Sequence, residues 1–101
     1  HELLPASRMD QPLAGNLNFY GPLCHPGDVL AIQKPFPQLA AGDVVAIMDA
    51  GAYFVPNQMN FSNPRPAAVR VEAGNAALIR RRESFDDMVR LDRETGPAER
   101  D

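Results

Sequence analysis

Along most of this chain apolar side chains recur at every second residue rather than at every third or fourth. Residues 16–20 (Asn-Leu-Asn-Phe-Tyr) alternate polar and apolar and stop at Gly21-Pro22. Residues 29–33 form a short apolar run, opened by Pro26-Gly27-Asp28 and closed by Lys34-Pro35-Phe36-Pro37. Residues 43–48 form another, between Gly42 and Asp49-Ala50-Gly51. Short runs with β-branched residues, fenced by Gly and Pro, predict buried strands. Residues 68–72 and 76–81 alternate on either side of Ala73-Gly74-Asn75. That spacing predicts a hairpin with a bulge or a left-handed residue at its tip.

A single segment carries a helical period. Phe85, Met88 and Val89 fall on one helical stripe, and Ser84 precedes them with Asp87 three positions on. This is a capping box with Asp in place of the usual Glu or Gln, and it predicts a helix of about two turns. Beyond Leu91 the chain turns polar, as a frayed tail does. The predicted fold class is therefore mainly all-β. The expected architecture is a small β-barrel or sandwich with one short C-terminal helix. Residues 1–16 read as a lead-in, 17–91 as the β domain and 92–101 as the tail. The stretch from 54 to 66 holds four Asn or Gln and three Pro without a period. Those prolines favour a held loop over a floppy one.

Composition narrows the function classes. The 101 residues carry a formal net charge of -3, which gives no electrostatic reason to expect nucleic acid or an anionic membrane as partner. No run approaches the roughly 20 apolar residues of a membrane span, and no signal-peptide layout opens the chain. One cysteine excludes an intrachain disulfide, so a reducing, cytoplasmic setting is expected. The first residue is His rather than Met, which points to a fragment, a processed chain or a single domain of something larger. Two histidines and one cysteine fall short of a structural zinc set, so no metal is expected.

Cys24 lies between Gly21-Pro22 and His25-Pro26-Gly27. It is either a small buried hydrophobe, the commonest fate of a free cysteine, or the tip of a rigid functional loop. His25 beside it lowers the thiol pKa only if cationic and suitably turned. Asp28, Asp43 and Asp49 each flank a turn, where carboxylates cap backbone N–H groups. Tyr53 follows Ala50-Gly51-Ala52, small residues that allow close approach. Its hydroxyl either bonds to the main chain or meets a ligand phosphate, and packing physics favours the first. No phosphate-cradling glycine motif is present. The run Arg80-Arg81-Arg82 reads as a solvated strand edge.

Four motifs, in order, carry a resemblance: Gly21-Pro22-Leu23-Cys24 with Gly27-Asp28, then Gly42-Asp43, then Asp49-Ala50-Gly51-Ala52-Tyr53, then Asn63-Pro64-Arg65-Pro66. The stretch from Leu78 to Asp87 adds to it. Over about residues 17–91 the chain resembles the C-terminal β domain of the pyridoxal-phosphate-dependent decarboxylases of fold type III. Diaminopimelate decarboxylases are the nearest group, and ornithine and arginine decarboxylases the wider one. The resemblance implies a carboxy-lyase acting on an amino acid with pyridoxal 5'-phosphate. It also implies an N-terminal TIM-barrel domain that holds most of the cofactor, and a homodimer. A barrel takes about 250 residues, so this chain has no room for it. Lys34, the sole lysine, matches no cofactor-anchoring motif of the family.

By resemblance, Cys24 is the catalytic residue that crosses the dimer interface and helps steer a proton. Tyr53 binds the cofactor near its phosphate, and His25 stands at a substrate-binding position. The family usually has an acid where His25 stands, to hold a distal ammonium. An imidazole does not pair with an ammonium as a carboxylate does. The expected substrate therefore carries something other than a plain ammonium at its far end. The isolated chain is expected to be inactive and to expose an apolar face where the barrel packs. The competing readings are a non-catalytic relative that regulates a partner enzyme and an unrelated β-barrel binding module. The last would bury Cys24 and Tyr53 apart.

Overall fold

The computed structural model describes residues 1–94, and the expected tail at 95–101 lies outside the described residues. The chain divides into two compact units, His1–Gln58 and Met59–Asp101. It is mainly strand with one short helix, as the period predicts, but its strands form three separate two-stranded antiparallel ladders. Among the described residues they close no barrel.

In the first unit, β1 (Leu3–Leu4) pairs with β4 (Ala46–Ile47), Leu3 opposite Ile47. This ladder is shorter than the apolar run at 43–48 predicts. Pro5 follows β1 at once and has no N–H to continue the ladder. Past it the Ser7 amide still donates to the Val44 carbonyl at 3.2 Å, and side chains add to that bond: the Ser7 hydroxyl accepts from the Val44 amide at 2.8 Å, and Arg8 Nε donates to Asp43 at 2.9 Å. Asp43 also accepts from the Ala40 amide, and these two bonds, the amide first, hold its carboxyl below the usual range.

The longer ladder joins β2 (Gly15–Tyr20) to β3 (Val29–Phe36). Its register slips twice, between Leu17 and Phe19 and between Phe19 and Tyr20, so β3 carries extra residues. At the first slip Gln33 is left-handed, at φ 52, and its amide donates to the Asn18 side chain at 2.8 Å. Such bulges bend and twist a strand. The apolar centre is thin. Leu3 and Phe36 are the buried large hydrophobic residues, with Phe19 set edge-on against Phe36 at 4.9 Å. Val29, Leu30 and Ile32 of β3 stay exposed.

In the second unit, β5 (Ala68–Glu72) pairs with β6 (Asn75–Arg80). Glu72 faces Asn75, so the loop is two residues rather than the three that the sequence spacing implied. Ala73 at φ 48 and Gly74 at φ 78 make the doubly left-handed turn that matches strand twist. These left-handed residues meet the expectation for the tip, and a register shift at Ala68/Val69 lies at the far end from the turn.

Helix α1 (Phe85–Val89) is five residues, shorter than expected, with Ser84 as N-cap. Both halves of the capping box form: the Asp87 amide donates to the Ser84 hydroxyl at 3.3 Å, and the Ser84 amide to Asp87 at 2.8 Å. Of the predicted stripe, Met88 and Val89 are half-buried and Phe85 is exposed. No helix among the described residues is long and apolar enough to cross a membrane.

Candidate active-site loops

Two loops of the first unit carry the sequence-selected residues. The first, residues 21–28, joins β2 to β3 immediately after the pair Tyr20–Val29. An eight-residue connection would ordinarily be loose, but here Asp28 ties it shut. The Gly21 amide donates to the Asp28 carbonyl at 2.9 Å, the Leu23 amide to Asp28 Oδ2 at 3.0 Å, and the Asp28 amide to the His25 carbonyl at 3.0 Å. While Asp28 holds this place position 21 has room only for glycine, because a Cβ there would lie 2.0 Å from Asp28 Oδ2. The carboxylate occupies the space a side chain would need.

Cys24 sits inside this closed loop, exposed and left-handed at φ 55. A non-glycine residue in that region is strained by about 1–3 kcal/mol and persists where its surroundings enforce it. The reading of Cys24 as a buried hydrophobe is therefore set aside. His25 is also exposed, and its Nδ1 accepts from the Gly27 amide at 2.9 Å. An accepting Nδ1 places the ring proton of the neutral imidazole on Nε2. His25 thus braces the turn with one nitrogen and carries an N–H donor on the other.

The second loop follows β4. Asp49 at φ 54 and Tyr53 at φ 67 are both left-handed. The Asn57 amide donates to the Tyr53 carbonyl at 3.1 Å, a single helical turn, and Phe54 packs edge-on against His1 at 4.7 Å. Tyr53 is 81% exposed, which overrides the packing expectation for its ring. Asp28 and Asp43 cap amides as turn chemistry predicts. Asp49 instead shapes its turn through its backbone.

Cys24 and Tyr53 thus share exposure, positive φ and membership of one unit, and they make no hydrogen bond or ion pair with each other among the described residues. No metal-holding group of His, Cys, Asp and Glu occurs among the described residues. The chemistry on offer is a thiol that can hand over a proton, an imidazole N–H and a phenol O–H. Lys34 stands within the β2–β3 ladder opposite Leu17.

The second unit holds a network that sequence reasoning missed. Glu83 Oε2 accepts from the Arg65 amide at 2.8 Å and from Asn60 Nδ2 at 2.5 Å, while Oε1 accepts from Arg65 Nε at 2.8 Å. The Arg65 side chain first, and its amide next, lower the Glu83 pKa from 4.5 to about 2. Arg81 forks onto Asp87, and with the Ser84 bonds this holds the Asp87 carboxyl far below the usual range. Partners 18 and 23 positions apart leave no periodic trace in a sequence.

Residues 1–51 match the family described as pyridoxal-dependent decarboxylase, C-terminal sheet domain. The diaminopimelate decarboxylase of Methanothermobacter thermautotrophicus is 40% identical over 92 residues, covering 89% of this chain and 21% of the relative. That of Archaeoglobus fulgidus is 36% identical over 94 residues, 92% of this chain and 22% of the relative. That of Bacillus subtilis is 34% identical over 93 residues, 91% of this chain and 21% of the relative. The chain spans about a fifth of the length of these curated relatives.

Proposed function

The chain belongs to the pyridoxal-dependent decarboxylases, as their C-terminal sheet domain, and from that membership we propose that the protein carrying it removes a carboxylate from an amino acid of the diaminopimelate type. The observation that carries this is the loop 21–28: a backbone closed by Asp28 around an exposed, left-handed Cys24. Strain held in place at a solvent-facing thiol is the signature of a working residue rather than a packing one.

The donor set fits only the edge of a pyridoxal phosphate. The Tyr53 hydroxyl suits a phosphate oxygen, but the sole lysine lies in a strand ladder. The anchoring lysine and most of the cofactor's contacts therefore belong to an N-terminal barrel domain, and this domain completes the site across a homodimer interface. When bound, the cofactor supplies the electron sink for loss of CO₂. The residues of this chain do the rest. Tyr53 orients the phosphate with its O–H, Cys24 Sγ moves one proton at the reacting carbon, and His25 Nε2–H faces the substrate's far end. A carboxylate there accepts that N–H, whereas an ammonium does not. Diaminopimelate carries such a carboxylate. The chain alone is inactive on this reading.

The test uses the full-length protein with pyridoxal phosphate, measuring CO₂ release from diaminopimelate, ornithine and lysine. Cys24→Ala lowers kcat by about 100-fold or more and changes KM less. Tyr53→Phe weakens cofactor binding about tenfold, the loss of one charge-assisted hydrogen bond, read from cofactor fluorescence. Cys24→Ala at wild-type kcat would sink the assignment of the thiol. A preference for ornithine or lysine would sink that of His25.

A further inference from the structure

The segment from Asp49 to Tyr53 is left-handed at both ends, at φ 54 and φ 67. Residues other than glycine persist in that region where their surroundings enforce it. One side chain touches both flanks of the segment. His1 Nδ1 lies 3.2 Å from the carbonyl of Met48, the residue before Asp49. Its ring meets that of Phe54, the residue after Tyr53, edge-on at 4.7 Å. We propose that His1 is a positioning residue: it clamps this segment at both feet and, on the reading of Tyr53 given above, thereby sets where the phenol stands for the cofactor phosphate.

A carbonyl only accepts, so Nδ1 of His1 donates and carries the ring proton. His25 is the reverse case, its Nδ1 accepting from the Gly27 amide. The bond spans 47 positions and uses the side chain. It is the second hold on Met48, whose amide donates to the Glu2 carbonyl at 2.8 Å. Leu3 stands opposite Ile47 in the β1–β4 ladder, so the imidazole projects from backbone that is already tied to β4.

Tyr53 is exposed, so its reach is set by the backbone on either side rather than by packing of its own ring. On the far side the Tyr53 carbonyl accepts from the Asn57 amide at 3.1 Å. His1 restrains the near side through Met48 and the turn itself through Phe54, whose edge-on geometry fixes ring direction as well as distance. A hydroxyl held in place beforehand loses less freedom when it meets its ligand, and that is how a clamp of this kind raises affinity.

The experiment titrates pyridoxal phosphate into the full-length apoprotein, followed by cofactor fluorescence, in a double-mutant cycle of His1→Ala with Tyr53→Phe. The expected result is a Kd raised about fivefold in His1→Ala and no further rise when Tyr53→Phe is already present, because the clamp acts through that phenol. A merely structural role would add its loss in both backgrounds. His1→Asn places an amide N–H near the position of Nδ1 and should recover part of the affinity. Hydrogen exchange over residues 48–57 of the apoprotein should be faster in His1→Ala than in the wild type. Unchanged exchange overturns the clamp. Where Tyr53→Phe weakens the cofactor, a wild-type Kd in His1→Ala or an additive double variant overturns it too. A wild-type Kd in Tyr53→Phe would instead sink the assignment of Tyr53 to the phosphate, and the exchange alone then decides the clamp.

Discussion

The two long hairpins of this chain share a topology and differ in what their ends are for. The β5–β6 hairpin turns in two residues, both left-handed. The β2–β3 hairpin turns in eight, Asp28 ties the loop shut, and β3 is twice bulged on the way. A tight turn only reverses the chain. A long loop closed by its own carboxylate can hold a strained, exposed residue, and here that residue is Cys24. On the proposed function, the contrast separates structure that serves the fold from structure held in readiness for chemistry. It also shows how one aspartate can replace the missing strand pairing at a loop.

The strongest way to break that contrast is Gly21→Ala in the full-length protein. Its Cβ would collide with the Asp28 carboxyl group, 2.0 Å from Oδ2 and 2.2 Å from Cγ. Asp28 must swing out, and the Leu23 amide loses its acceptor. We expect a loss of about 2 kcal/mol in thermal unfolding. Asp28→Ala removes the same bond without the clash and should cost about 1.5 kcal/mol. The double variant should then cost no more than Asp28→Ala alone, because the clash has gone. Additive losses would show that Gly21 serves some purpose other than making room for the carboxylate.

This pairing marks where the sequence was legible. Turn chemistry identified Asp28 and Asp43 as amide caps, and period 2 together with short apolar runs fenced by Gly and Pro found five of the strands. The Ser84–Asp87 capping box was readable because its partners are three positions apart. Legibility failed where partners are distant. The run at 43–48 pairs with Leu3 and Leu4, some forty positions away, and Glu83 gave no hint that it would gather Asn60 and Arg65. A small β-barrel or sandwich was expected from the number of strands, their short spacing and the Gly/Pro punctuation, and the mainly-strand fold is there, but among the described residues the ladders stay two-stranded. The exposure of Cys24 and Tyr53 was open on packing grounds, since side-chain size favoured burial and only loop geometry decides.

The second hairpin is moored by charge, and pH tests that mooring. Glu83 titrates at about 2 in the fold instead of 4.5. A depressed carboxylate pKa stabilises the fold fully above its unfolded value and loses that contribution as protons bind the folded form. The second unit should therefore loosen as pH falls from 4.5 toward 2, seen as loss of the Arg65 and Asn60 amide signals. Asp87, also depressed, continues the loss at still lower pH. Glu83→Gln cannot ionise, so it should be less stable at neutral pH and lack the Glu83 step. If the Arg65 amide persists unchanged to pH 2, the network is decorative.

The smallest expected effect lies at the turn that does nothing but reverse the chain. Ala73 occupies the first of two left-handed positions, at φ 48, where an alanine Cβ costs about 1 kcal/mol and asparagine is tolerated better. Glycine would relieve the same strain but return part of the gain as unfolded-chain entropy. Asparagine avoids that loss. Ala73→Asn should therefore raise stability by about 0.5 kcal/mol, a small upward shift in Tm, with decarboxylation unchanged. The same logic applied to Cys24→Asn gives a different outcome: its backbone is as left-handed, at φ 55, so strain should fall there too, but at the expense of activity. A stabilised, inactive Cys24→Asn beside a stabilised, active Ala73→Asn would show that the strain at one hairpin tip is functional and at the other merely tolerated.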